Sequence, residues 1–137
     1  MTVTVGKVPN APVALAVRQI LSATSMQMTW NDGAAITDNP ATLSFRIYLD
    51  DGSGNPPAKA FDSQNQAMTN IATLKNLVAG NSYKVTATAV NSIGESLNSA
   101  PLTIYAGTVP SKIKTLVWDD STTTSIKVRW EAPQSNG

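Results

Sequence analysis

Hydrophobic and polar positions alternate with a period of two in several short blocks, which predicts strands with one buried face. The clearest block lies within Leu77–Ser96. Tyr83, Val85, Ala87 and Ala89 fall on one side of it, and Lys84, Thr86 and Thr88 on the other. Turn signals bracket this strand, Ala79-Gly80-Asn81 before it and Asn91-Ser92-Ile93-Gly94 after it. Earlier in the chain, Met26, Met28 and Trp30 share a face and stop at the turn Asn31-Asp32-Gly33. Leu43, Phe45, Ile47 and Leu49 share another face, followed by the dense turn Asp50 to Pro57. Val13, Leu15 and Val17 alternate behind the proline-marked stretch Val8 to Pro12, where missing amide donors suit an edge or a linker. Shorter strands are predicted over residues 1–6, near Lys59 to Ser63, and from Pro101 to Ala106.

The segment from Asn65 to Val78 supports two readings. Ala67, Ile71, Leu74 and Val78 have helical spacing, with Gly80 placed as a stop. As a strand, the same segment turns Ala72 and Leu74 inward and closes at Leu77. An isolated two-turn helix is marginal in water, and all of its neighbours are strands, so a strand is predicted. Sheets that each bury one face must cover each other, which makes the expected fold an all-β sandwich.

Composition narrows the possible functions. With 42% hydrophobic and 14% charged residues, the 137-residue chain has material for a core and too few charges for a disordered chain. Ten basic and nine acidic residues leave a net charge of +1, and the basic residues are scattered, so nucleic acid is not an expected partner. No apolar run approaches the roughly 20 residues of a membrane-spanning helix, so membrane insertion is not expected. Cysteine and histidine are both absent. Disulfides, thiolate chemistry, the usual zinc ligand and the usual general base go with them. No catalytic residue, cofactor or metal site is expected.

The ends of the chain repeat its middle. Val8-Pro9 recurs as Val109-Pro110, and Leu15 and Val17 match Leu116 and Trp118, all at an offset of 101. Ser25-Met26-Gln27-Met28-Thr29-Trp30 matches Ser125-Ile126-Lys127-Val128-Arg129-Trp130 at an offset of 100. Residues 1–9 align without a gap on residues 102–110. A period near 100 is a domain-sized repeat. Residues 1–7 then read as the last strand of a preceding repeat with its linker. Residues 8–107 read as one complete domain, and 108–137 as the first two strands of a following repeat. The chain is expected to be a window from a longer tandem array. Two strands alone are marginal in water, so the last segment needs cover for Trp118, Val128 and Trp130.

Residues 8–107 resemble a fibronectin type III domain. The features are Pro9 and Pro12, Trp30 at the end of the second strand, and Phe45-Arg46-Ile47-Tyr48. They continue with Leu77, Gly80 and Tyr83, then Ala89-Val90-Asn91, Gly94-Glu95-Ser96 and Ser99. Pro133 to Gly137 resembles the proline-rich turn that follows this tryptophan in many members, whereas Asn31-Asp32-Gly33 departs from it. The resemblance implies a seven-stranded antiparallel two-sheet sandwich of immunoglobulin-like, fibronectin type III topology. It implies a core of Trp30, Phe45, Ile47, Leu74, Leu77, Tyr83, Val85 and Ala87. It also implies a tyrosine corner, in which the Tyr83 phenol bonds back to upstream backbone.

The function implied is a non-enzymatic spacer or protein-interaction unit of a larger repetitive protein or filament. Its expected partners are neighbouring domains of the same chain, copies of itself, or other proteins or glycans. The expected setting is extracellular or at the cell surface, with a cytoskeletal or ciliary filament as the alternative. One competing reading is a ligand-binding or adhesion domain using the loops at Asn31, Asp32, Asp38, Asn91, Ile93 and Glu95. Another is an accessory domain of a secreted multidomain enzyme. Some family members carry Arg-Gly-Asp in the loop at Asn91 to Glu95; that tripeptide is absent here. Asp50 to Asn55 has carboxylates and glycines but lacks the spacing and closing Glu of a calcium loop, so it reads as a hairpin turn. Asp119-Asp120 reads as part of a solvated loop. No Asn-x-Ser/Thr sequence occurs.

Overall fold

The computed structural model describes residues 6–33, 40–42, 44–64 and 69–135. Nine strands occur in this order: β1 (Val13–Ser22), β2 (Ser25–Asn31), β3 (Ser44–Asp50), β4 (Ala58–Asp62), β5 (Ile71–Leu74), β6 (Ser82–Val90), β7 (Leu102–Tyr105), β8 (Leu116–Ser121) and β9 (Ile126–Trp130). The first seven form a sandwich of a three-stranded sheet, β1-β2-β5, and a four-stranded sheet, β4-β3-β6-β7. β8 and β9 form a separate two-stranded hairpin, and every strand pair is antiparallel. The sandwich therefore has the expected seven strands, and the hairpin adds two more.

The predicted alternation sets the core. Met26, Met28 and Trp30 of β2 point inward beside Ala72 and Leu74 of β5, with which Met28 and Met26 are in register. Facing them are Phe45 and Ile47 of β3, Val85, Ala87 and Ala89 of β6, and Ile104 of β7. The Trp30 and Phe45 rings meet edge to face at 5.5 Å, a geometry that suits their quadrupoles. The Trp30 indole N–H has no acceptor among the described residues. All eight residues named for the core, Trp30, Phe45, Ile47, Leu74, Leu77, Tyr83, Val85 and Ala87, are buried.

Three segments differ from their expected form or fall outside the described residues. β1 runs well beyond Val17, to Ser22. Of Val13, Leu15 and Val17, only Leu15 packs on the core, while the other two are about half exposed. Ala14 takes a left-handed φ of 53°, and three register shifts interrupt the β1–β2 ladder, so strict alternation fails along this outer strand. The ambiguous segment contains the strand β5 and no helix among its described residues. Ala72, Leu74 and Leu77 are buried, and Val78 is exposed, as the strand reading requires. The strand expected over residues 1–6 lies outside the described residues except for Gly6, which is not in a strand. Leu43 and Ala67 also lie outside them.

The corner before β6 is closed by Tyr83, whose hydroxyl accepts a hydrogen bond from the Val78 amide at 2.8 Å. The Asp50–Asn55 turn satisfies its own carboxylates, because the Gly52 amide donates to Asp50 and the Ser53 amide to Asp51. This is the turn chemistry of Asp. Among the described residues, no three His, Cys, Asp or Glu side chains gather as metal ligands.

Candidate functional site

Residues of β3 and β6 that alternate with the core project onto the outer face of the four-stranded sheet. Arg46, Tyr48, Thr86 and Thr88 lie there, and the loop after β6 carries Glu95 across them. Glu95 accepts hydrogen bonds from the Arg46 guanidinium, from the Tyr48 hydroxyl at 2.7 Å and from the Thr88 hydroxyl. Arg46 also pairs with Asp62 at 3.0 Å, and Lys59 reaches the same Asp62 oxygen at 2.9 Å. Two cations and two carboxylates thus form one chain across β4, β3 and the loop.

This arrangement keeps the carboxylates ionised. Burial by itself would push Glu95 up, but the donors Thr88, Tyr48 and Arg46 outweigh it and hold the acid below its ordinary range. Asp62 is lowered in the same way, with burial opposed by Lys59, the Gln64 amide and Arg46. Tyr48 is pushed up, first by burial and then by its bond to Glu95. A carboxylate whose lone pairs are already occupied is a poor proton acceptor. The network suits tying a loop to a sheet better than acid–base chemistry.

Beside the network lies an open cleft of about 500 Å³, with Tyr48, Thr86 and Thr88 as its floor. Pro57 stands on one side, and Ser96, Leu97 and Asn98 on the other. The loop holding that second side is fixed by two serines. Ser96 Oγ accepts from the Ala89 amide and Ser99 Oγ from the Ala87 amide, each at 3.0 Å. The Ser96 and Ser99 amides return bonds to the Ala89 and Ala87 carbonyls, both at 2.8 Å. Serines thereby satisfy the edge of β6 beyond the reach of β7, and Leu97 is left 84% exposed between them.

The residues named for the interaction loops take different positions. Asn31 ends β2 on the surface, opposite Val13 of β1, and Asp32 follows it, also exposed. Asp38 lies outside the described residues. Ile93 is half exposed at the loop tip, and Glu95 belongs to the network above. Asn91 is buried, and its side chain is used inside the protein. Its Oδ1 accepts from the Ile93 and Gly94 amides, which shapes the turn. Its Nδ2 donates to the Lys7 carbonyl at 2.8 Å and to the Pro40 carbonyl at 3.1 Å. Local sequence reads Asn91 as a turn residue and carries no sign of these distant bonds. The Arg46–Glu95 pair, 49 residues apart, was equally hidden.

Comparison with known proteins gives consistent likenesses. The family model for the fibronectin type III domain matches residues 10–105. The chain is 33% identical to chicken (Gallus gallus) tenascin over 109 residues, and 29% identical to chicken sidekick-1 over 120 residues. These matches cover 80% and 82% of this chain but only 6% and 5% of the relatives, so the chain spans a small fraction of their length. In fold it is similar to a crystal structure of titin domains, with a TM-score of 0.63 at 20% identity over 74% of this chain and 33% of that one. It is also similar to a myokine structure, with a TM-score of 0.59 at 23% identity over 72% of this chain and 97% of that one.

Proposed function

The chain belongs to the fibronectin type III family, and from that premise we propose that it is a non-enzymatic spacer and interaction module of a longer repetitive protein. One observation carries the reading: the chain reaches and leaves the sandwich at opposite poles. Lys7 is bonded to Asn91, just past the last residue of β6. Ala106 exchanges bonds with Gly80 and Asn81, just before the first residue of β6. At roughly 3.3 Å per residue, the nine-residue strand separates these points by on the order of 30 Å. A unit built this way passes the chain straight through and adds length to an array.

In this reading, residues 8–107 are one whole repeat, residues 1–7 end the preceding one, and 108–137 open the next. The internal repeat supports that division, as does the free hairpin of β8 and β9. Partners are neighbouring repeats first, and other proteins or glycans second. The proposed setting is extracellular or at the cell surface, with an intracellular filament as the alternative. No helix among the described residues is long and apolar enough to cross a membrane.

Small-angle scattering from a protein with two complete repeats, joined by the native Gly107-Thr108-Val109-Pro110 segment, tests the spacer. The result expected is a maximum dimension close to twice that of one repeat. A compact particle with the repeats folded side by side would overturn it. A second reading, binding of a protein or glycan beside the loops, is favoured by the exposed Leu97 on the cleft. Partner capture that survives Leu97→Asp together with Asn98→Ala would remove that reading.

A further inference from the structure

The bonds of Asn91 concern more than one turn, because one of its partners lies 84 residues away in the segment that leads into the sandwich. We propose that Gly6-Lys7-Val8-Pro9 is a plug, and that Pro40, Asn91, Ile93 and Gly94 form the socket receiving it. This joint would set the angle between one repeat and the next. The inference rests on the spacer reading and adds its mechanical element.

Each position of the plug has a distinct requirement. Gly6 is wedged, since a Cβ there would sit 2.9 Å from Pro40 Cδ and 3.0 Å from the Ile93 side chain. Asn91 binds Lys7 through its main-chain carbonyl, so this bond places no demand on the side chain at position 7. Val8 meets Gly94 closely enough that a Cβ on that glycine would lie 3.2 Å from Val8 Cγ1. Pro9 is buried. The contacts therefore ask for Gly, Val and Pro at the first, third and fourth positions.

The second copy of the segment meets the same rule. Gly107-Thr108-Val109-Pro110 keeps Gly, Val and Pro at the positions where shape matters. It replaces Lys by Thr only where the bond is to main chain. Val109 is 84% exposed.

The orientation of the Asn91 amide is set by its bonds, because Oδ1 faces two N–H donors and Nδ2 faces two carbonyls. That asymmetry supplies the test. Asn91→Asp retains the acceptors that shape the turn and removes the donor to the Lys7 and Pro40 carbonyls. Gly6→Val attacks the joint from the plug side, outside every strand, and guards against a folding defect at position 91. Nitrogen-15 relaxation on the 137-residue chain reads the order of the Lys7 and Val8 amides. Order parameters of about 0.85 are expected in the natural chain, falling below about 0.6 in both variants, while residues 82–90 stay rigid. Lys7 and Val8 amides already mobile in the natural chain, or equally ordered in both variants, would overturn the joint. Scattering from two tandem repeats separates the two ideas. An extended natural tandem with an Asn91→Asp tandem of equal stiffness rejects the joint alone, and a compact natural tandem rejects the spacer itself.

Discussion

The hairpins β1–β2 and β8–β9 share a sequence pattern and differ in almost everything that surrounds it. In the first, Met26, Met28 and Trp30 lie beneath β5 and the opposite sheet, and Trp30 is 1% exposed. In the second, Ile126, Val128 and Trp130 repeat the pattern, and Trp130 is 57% exposed. Each hairpin has its antiparallel ladder, interrupted by three register shifts in the first and one in the second. The second adds ion pairs from Asp119 to Lys127 and Arg129. Alternation is thus enough to specify a strand and which of its faces is apolar. Burial is supplied by partners elsewhere in the fold, and most of the stabilisation comes with burial.

The widest separation between the hairpins should come from their tryptophans. Trp30→Ala is expected to cost about 3–5 kcal/mol in denaturant unfolding followed by circular dichroism. Trp130→Ala in this chain should stay within about 0.5 kcal/mol, as exposed substitutions do. Equal losses at the two positions would mean that the second hairpin is covered. A smaller effect tests closure of the first unit. Tyr83→Phe removes the acceptor for the Val78 amide while keeping the ring, with an expected loss of about 1 kcal/mol.

The smallest effect concerns acid. Because Glu95 titrates below its ordinary range when folded, its contribution is present above the unfolded value and is lost as pH falls through the folded one. Asp62 behaves in the same way. Stability of the sandwich should therefore decline as pH drops below roughly 4, and Glu95→Gln should flatten part of that decline. The substitution itself is expected to cost about 1 kcal/mol at neutral pH, a modest figure because the side chain is about a third exposed. An unchanged acid limb in this variant, followed by equilibrium unfolding across pH, would show that the network contributes nothing measurable.

Much of the fold was legible because its signals are local. Met26, Met28 and Trp30 report their face by period two, and Tyr83 sits between turn residues as a corner requires. β1 was legible only in part, since Ala14 and three register shifts break the alternation that identifies a strand. The functional surfaces were less legible. Gly94-Glu95-Ser96 marks a loop, yet the partners of Glu95 are brought to it by strand pairing from Arg46 and Tyr48. Asn91 looks like any turn asparagine until the fold carries Lys7 and Pro40 to its amide. Side chains that act across the sheet leave no period for a sequence pattern to reveal.

The central proposal is that the sandwich is one complete repeat and that β8 and β9 are the uncovered opening hairpin of another. Amide hydrogen exchange on the dilute 137-residue protein tests it most directly. The amides of Met28 and Trp30 should exchange only on global unfolding, and those of Val128 and Trp130 orders of magnitude faster, near the rates of open chain. Comparable protection in both hairpins would contradict the claim, because β8 and β9 would then already have a partner.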